Sequence, residues 1–135
     1  MGRLQGKRAV IIGAASAGNM AQATARRFAA EGATVLVAGR KADPLQALAD
    51  EIGGHWALCD ISVRAEVEAL AATARERLGG VDVAMNATGW GLLKPLLDVT
   101  EEELDGIVAA SALRRGGAAV RGLFAGIGAV AAYLE

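Results

Sequence analysis

The sequence has one cysteine, almost no net charge and no long apolar run. The single cysteine, Cys59, cannot form a disulfide within the chain. Fourteen basic and fifteen acidic residues leave a formal net charge of −1, unlike the strongly basic balance of proteins that bind nucleic acids or anionic membranes. No stretch reaches the roughly 18 consecutive apolar residues of a membrane span, and the N-terminus lacks a secretion signal pattern. We therefore expect a cytoplasmic protein with no nucleic-acid or membrane partner.

Metal-ligand spacing is also missing from the sequence. The only histidine, His55, has no cysteine or second histidine near it at a ligand spacing, so we expect no metal site. The 135 residues are 53% hydrophobic, which is enough for one buried core and too little for two. The absences therefore leave a metal-free protein with a single core.

Four short apolar segments rich in β-branched residues alternate with segments of helical spacing. The predicted strands are Arg8–Ile12, Thr34–Ala38, His55–Leu58 and Val81–Met85. The first two are apolar almost throughout, which is typical of strands that are covered on both faces of a parallel sheet. The pattern predicts an α/β fold, a Rossmann-like doubly wound parallel sheet of about four strands.

Local signals place the starts of three helices. Asp43 followed by Pro44 predicts a capped helix start, and Ser62 is a candidate cap for the next helix. Thr100 and Glu103 have the spacing of a capping box. Each signal sits directly before a segment whose apolar residues recur at helical spacing.

The stretch IIGAASAGNMAQA, residues 11–23, predicts a strand end, a turn of small residues and a helix start. Gly13 permits a tight turn, and Ala15 and Ser16 have too little side chain to keep an anion from the backbone. The N-H groups and the dipole at a helix start attract phosphate. The next glycine is Gly18, so the stretch departs from the G-x-G-x-x-G pattern. A close turn without a ligand is the alternative interpretation.

Two further loops follow the carboxyl ends of strands, on the same edge as this turn. Asp60 and Ile61 follow the third strand, and the fourth runs into Asn86, Ala87 and Gly89. Ligands of parallel sheets bind at that edge, so the three loops predict one crevice. For each residue alone, a helix-start residue at Asp60 and a turn former at Asn86 are equally good interpretations.

The second strand is followed by Arg40 and Lys41, where a site for NAD would have a carboxylate for the ribose 2′-hydroxyl. Two cations favour a 2′-phosphate instead. The sequence therefore predicts NADP(H) in preference to NAD(H), with a solvated surface pair as the alternative.

The segments GKRAVIIGAAS, AAEGATVLVAGR, CDIS, VDVAMNATG and PLLDVTEEELD resemble the short-chain dehydrogenase/reductase family. The resemblance runs from about Gly6 to Ser111 and covers about the first half of a usual member. The glycine region is most similar to the divergent, enoyl-reductase-like type. The resemblance implies an oxidoreductase fold with Gly13, Ser16, Asn19 and Met20 at the pyrophosphate, Arg40 at the 2′-phosphate, Asp60 and Ile61 at the adenine, and Asn86, Ala87 and Gly89 at the adenine-side ribose and sheet core.

The catalytic residues of that family are not matched. Members that reduce a carbonyl use a tyrosine with a lysine four residues later, but the only tyrosine here is Tyr133 and the lysines are Lys7, Lys41 and Lys94. Ser111 stands where the family often has an asparagine. We expect no catalytic residues and no activity of the chain alone, unless a partner subunit completes the site.

Residues 1–112 form the predicted NADP-binding domain, and residues 113–135 an apolar, glycine- and alanine-rich helix that packs on the domain or on a partner. A shifted reading frame is an alternative origin of this tail. The tail and an open edge of the fourth strand predict a homo-oligomer. A non-enzymatic oligomerising module that binds no nucleotide is the alternative function.

Overall fold

A computed structural model of the chain describes residues 2–88 and 93–111. The predicted site residue Gly89 and the predicted tail helix at 113–135 lie outside these residues. Among the helices of the two described ranges, none is long and apolar enough to cross a membrane.

A parallel sheet of four strands forms the centre of the fold, with the order β3-β2-β1-β4. The strands are β1 (Arg8–Ile12), β2 (Thr34–Gly39), β3 (His55–Leu58) and β4 (Val83–Asn86). β1 pairs with β2 on one side and with β4 on the other. The Rossmann-like prediction is therefore confirmed, with β1 in the interior of the sheet.

Helices cover both faces of the sheet. The helices are α1 (Met20–Ala30), α2 (Ala42–Ile52), α3 (Arg64–Leu78) and α4 (Glu101–Ser111), with a short 3-10 helix at Leu96–Asp98. Side chains of successive strand residues point to opposite faces, and β1 divides accordingly. Val10 and Ile12 pack with residues of α3, whereas Ala9 and Ile11 pack with residues of α1 and α2.

The capping box was predicted correctly, and two other helix starts were not. The N-H of Thr100 donates to the Glu103 carboxylate, and the N-H of Glu103 donates to the Thr100 hydroxyl. α2 begins at Ala42, before the predicted cap Asp43, which instead lies in the first helical turn. Pro44 is tolerated there because N-H groups of a first turn have no partner within the helix.

The predicted cap Ser62 does not cap α3 either. The N-cap position is Val63, and the Ser62 hydroxyl donates to the Asp60 carboxylate. A serine has this choice because its hydroxyl can bond to a neighbouring side chain as readily as to the helix start. β4 also begins two residues later than predicted and ends one residue later, at Asn86.

An ion pair joins Arg8, at the start of β1, to Asp82, directly before β4. It lies at the amino ends of the strands, and the predicted crevice lies at their carboxyl ends. The Arg8 guanidinium donates to both carboxylate oxygens of Asp82, at 2.8 and 2.9 Å. The same carboxylate accepts from the Arg8 N-H at 2.8 Å, and the Asp82 N-H donates to the Arg8 carbonyl. The hydrogen bonds from the Arg8 side chain and then its backbone hold the pKa of Asp82 well below its usual range.

Asp82→Asn should make the protein less sensitive to acid. Because the folded-state pKa of Asp82 is lowered, its stabilising contribution is complete above the ordinary carboxyl pKa of about 3.9 and is lost as the pH falls toward the lowered value. Urea unfolding between pH 7 and pH 2.5 should show a lower free energy of unfolding for the variant at pH 7 and a smaller decline below pH 4. Glu68→Gln, in the exposed pair with Arg64, is the control and should change little. A variant with the full acid decline would contradict the assignment.

Candidate functional site

The turn between β1 and α1 is open to solvent along its middle. Ser16, Ala17 and Gly18 are exposed, and none of their N-H groups has an acceptor among residues 2–88 and 93–111. Met20 begins α1 and its side chain is 75% exposed. The turn therefore presents free N-H groups beside the positive end of a helix dipole, an arrangement that binds phosphate.

Gly13, directly after β1, packs against the backbone of Ala87, directly after β4. Its φ is +96°, and an added Cβ would lie 2.8 Å from the carbonyl carbon of Ala87. The Ala87 N-H donates to the Ile12 carbonyl at 2.9 Å, which continues the pairing of the strands past their ends. Gly13 is therefore required by the contact with Ala87, in addition to any contact with a ligand.

Two amide side chains of α1 hold the carbonyl groups at the start of the turn. Asn19 is the N-cap of α1: its Oδ1 accepts from the Gln22 N-H, and its Nδ2 donates to the Gly13 carbonyl at 2.7 Å. Gln22 Nε2 donates to the Ala14 carbonyl at 3.0 Å. The sequence prediction missed Gln22. The available signal was its helical spacing from Ala25 and Ala29, which places an amide on an otherwise apolar face.

The end of β2 lies against the same turn. An added Cβ on Gly39 would be 2.8 Å from the Ala15 Cβ, so the absence of a side chain lets the two segments touch. Arg40 and Lys41 follow and both are exposed. The two cations therefore stand at the rim of the turn that carries the free N-H groups.

The ends of β3 and β4 carry two loops with the same hydrogen-bond geometry. Asp60 Oδ1 accepts from the Ser62 hydroxyl at 2.6 Å and the Ser62 N-H at 2.9 Å. Asn86 Oδ1 accepts from the Thr88 hydroxyl at 2.6 Å and the Thr88 N-H at 3.0 Å. In each loop the strand-end side chain fixes the backbone two residues later.

The Asp60 carboxylate interacts with Ser62 and, more weakly, with the charge of Arg40. The hydrogen bonds from the Ser62 hydroxyl and N-H lower the pKa of Asp60, and the positive charge of Arg40 lowers it further. Asp60 is thus ionised at neutral pH and faces the cationic side of the site. Ile61, beside it, is only 6% exposed and packs in the core with Val67 and Leu70.

The structure thus brings some of the predicted residues together, and it places Ile61 in the core. Gly13 packs against Ala87, and Ala15 packs against Gly39. The positive charge of Arg40 contributes to the lowered pKa of Asp60. Within the described part of the chain, no three histidine, cysteine or acidic side chains are grouped as metal ligands. Burial raises the pKa of the Cys59 thiol to about 11, so Cys59 is neutral and is not a nucleophile at neutral pH.

The comparison with protein families decides what this arrangement belongs to. The family model for enoyl-(acyl carrier protein) reductase matches residues 13–120, from Gly13 through the three loops and beyond. The chain belongs to the short-chain dehydrogenase/reductase family. It is 34% identical to glucose 1-dehydrogenase of Gluconobacter oxydans over 81% of its length, and 36% identical to the oxidoreductase UcpA of Salmonella typhimurium over 78%.

Solved structures of the family share the fold. A short-chain dehydrogenase from Mycobacterium smegmatis superposes with a TM-score of 0.84 at 30% identity, over 94% of this chain and 56% of that one. Actinorhodin polyketide ketoreductase with NADPH superposes with a TM-score of 0.78 at 27% identity, over 89% of this chain and 48% of that one. The chain spans 42% and 41% of the lengths of the glucose dehydrogenase and UcpA.

Gly13→Ala should destabilise the fold more than Gly18→Ala. Both glycines have a positive φ, +96° and +70°, and alanine in such a conformation costs about 1–2 kcal/mol. Only at Gly13 does the added methyl also collide with backbone, which adds about 1–3 kcal/mol. Chemical denaturation of the two variants measures the difference. Equal losses of stability would show that the contact with Ala87 does not require a glycine.

Proposed function

We propose that this chain is an NADP(H)-binding domain of short-chain dehydrogenase/reductase type. The observation that carries the proposal is the pair of exposed cations, Arg40 and Lys41, directly after β2 and beside the turn of free N-H groups. In doubly wound sheets the residues that follow this strand meet the ribose 2′-position, and a positive charge there accommodates a phosphate. The NADPH in the related ketoreductase structure supports the same cofactor.

The residues fit such a cofactor at three points. The exposed N-H groups of Ser16–Gly18 suit the pyrophosphate, and no side chain at Gly13 or Gly39 narrows the turn. Arg40 suits the 2′-phosphate because a guanidinium forms charge-assisted hydrogen bonds with phosphate oxygens. The Asp60 carboxylate, after β3, suits hydrogen-bond donors of the adenosine, and the Asn86 Nδ2, at the end of β4, suits its acceptors.

Arg40→Glu should remove a preference for NADPH over NADH. Losing charge-assisted hydrogen bonds and placing a carboxylate beside the 2′-phosphate should weaken NADPH binding about 10- to 100-fold, while NADH binding stays the same or improves. Titration with each nucleotide, followed by nicotinamide fluorescence, measures both constants. Lys7→Glu makes the same charge change before β1, at the opposite edge of the sheet, and should leave the preference intact. If Arg40→Glu still prefers NADPH, Arg40 does not bind the 2′-phosphate.

We also propose that the chain alone binds the cofactor without turning it over. The bound nicotinamide would supply a hydride, but reduction of a carbonyl also needs a proton donor held beside the ring. The family's tyrosine and lysine pair cannot be assembled from Tyr133 and the lysines Lys7, Lys41 and Lys94. Incubation of the purified chain with NADPH and carbonyl or enoyl substrates should give no loss of absorbance at the nicotinamide wavelength. Substrate-dependent oxidation of NADPH would contradict the proposal and point to other catalytic groups.

A second candidate, a self-associating module that binds no nucleotide, is favoured by one observation. Within residues 2–88 and 93–111, β4 pairs with β1 alone, and Leu93, Leu96 and Leu97 after it are almost fully exposed. An unpaired strand edge and exposed leucines are features that promote association between chains. The nucleotide titration separates the two functions, because binding of neither NADPH nor NADH would leave this second candidate in place of the first.

A further inference from the structure

Gln22 is the only polar side chain that is buried among the residues whose side chains the structure describes. It is 6% exposed and lies on the face of α1 that packs against the sheet, with Ala21 and Ala25. A buried amide is costly unless it is hydrogen-bonded, and apolar residues fill the equivalent positions of this face. Its retention at this place therefore calls for a role beyond filling the core.

The bond that Gln22 makes is directed at the turn. Nε2 donates to the Ala14 carbonyl at 3.0 Å, and the neighbouring Gly13 carbonyl accepts from Asn19 Nδ2 at 2.7 Å. Two consecutive carbonyl groups are thus held on the α1 side. The Ala14 N-H is also fixed, since it donates to the Ala38 carbonyl at 3.1 Å.

The hydrogen bond from Gln22 to the Ala14 carbonyl also fixes the direction of the Ala15 N-H, because both groups belong to one peptide unit. The peptide unit is planar and trans, so its C=O and N-H point in opposite directions. Because the Ala14 carbonyl points toward Gln22, the Ala15 N-H points away from it. The position of Ala15 N agrees, because it lies 3.3 Å from an added Cβ on Gly39, on the side where β2 ends. The Ala15 N-H thus lies on the side where β2 ends, and the Ala14 carbonyl is held on the side of α1.

We propose that Gln22 is a positioning residue for pyrophosphate binding: its amide holds the Ala14 carbonyl so that the N-H groups of the following turn face the ligand. The inference rests on the proposed function and deepens it. Without the amide, the buried Ala14 carbonyl has no partner and the Ala14–Ala15 peptide unit is free to rotate toward water. The turn would then present a mixture of carbonyl and N-H groups to an anion.

The test is Gln22→Met, which keeps the volume of the side chain and removes the amide. Two probes bound to the full chain are compared by calorimetry. NADPH contains the pyrophosphate, whereas adenosine 2′-monophosphate has the 2′-phosphate and adenine without it. We expect the NADPH dissociation constant to rise about 10-fold, the value of one hydrogen bond, and that of adenosine 2′-monophosphate to stay within about 2-fold.

A stability-matched control separates positioning from general destabilisation. Val67→Ala truncates a fully buried side chain of α3 on the other face of the sheet, away from the turn. Val67→Ala should lower the free energy of unfolding, and it should change the dissociation constants of NADPH and of adenosine 2′-monophosphate by the same factor. If Gln22→Met does not fold, Gln22→Leu is the second variant, because leucine also lacks an amide and forms helices about as readily as glutamine.

Each outcome decides one statement. A rise in the dissociation constant for NADPH alone supports the positioning role. An equal loss of affinity for both probes, or no loss for either, overturns it and leaves Gln22 as a structural residue. If the unaltered chain binds neither probe, the proposed function itself fails and the positioning role fails with it; that result is distinct because it appears before any substitution is made.

Discussion

The contact between the backbones of Gly13 and Ala87 is the constraint on which the rest of the site depends. β1 lies between β2 and β4. The turn from β1 into α1 must therefore fit between the segments that follow β2 and β4. The missing Cβ at Gly13 provides that space on the β4 side, and the missing Cβ at Gly39 provides it on the β2 side. Because both glycines lack a Cβ, the turn packs closely against the chain that leaves β4 and against the end of β2.

Electrostatics at this edge follow from the same topology. Parallel strands present their carboxyl ends on one side, which gathers Arg40, Asp60 and the start of α1 within one small region. Arg40 is attracted to Asp60 in the protein alone, and both side chains lie near the place proposed for the adenosine half of the cofactor.

The sequence predicted the sheet well and the details of the turn less well. β1 and β3 were predicted to the residue, because a short apolar run bounded by glycine or a turn residue is a strong local signal. The predicted starts of α2 and α3 were wrong: α2 already begins at Ala42, before Asp43, and the Ser62 hydroxyl bonds to Asp60 and not to the start of α3. Gln22 was missed because its partner, the Ala14 carbonyl, lies eight residues earlier in the chain and comes close to it only once the turn has formed. The nearness of Arg40 to Asp60 depends on the order of the strands and is visible only in the fold.

The loops after β3 and β4 have the same hydrogen bonds but differ in charge. In each loop the side-chain Oδ1, of Asp60 or of Asn86, accepts hydrogen bonds from the hydroxyl and the N-H of the residue two positions later. The remaining atom of the side-chain head group, an oxygen in one and a nitrogen in the other, takes no part in that pair of bonds. An aspartate and an asparagine thus hold the same kind of loop in this chain, and only the aspartate adds a negative charge at its strand end.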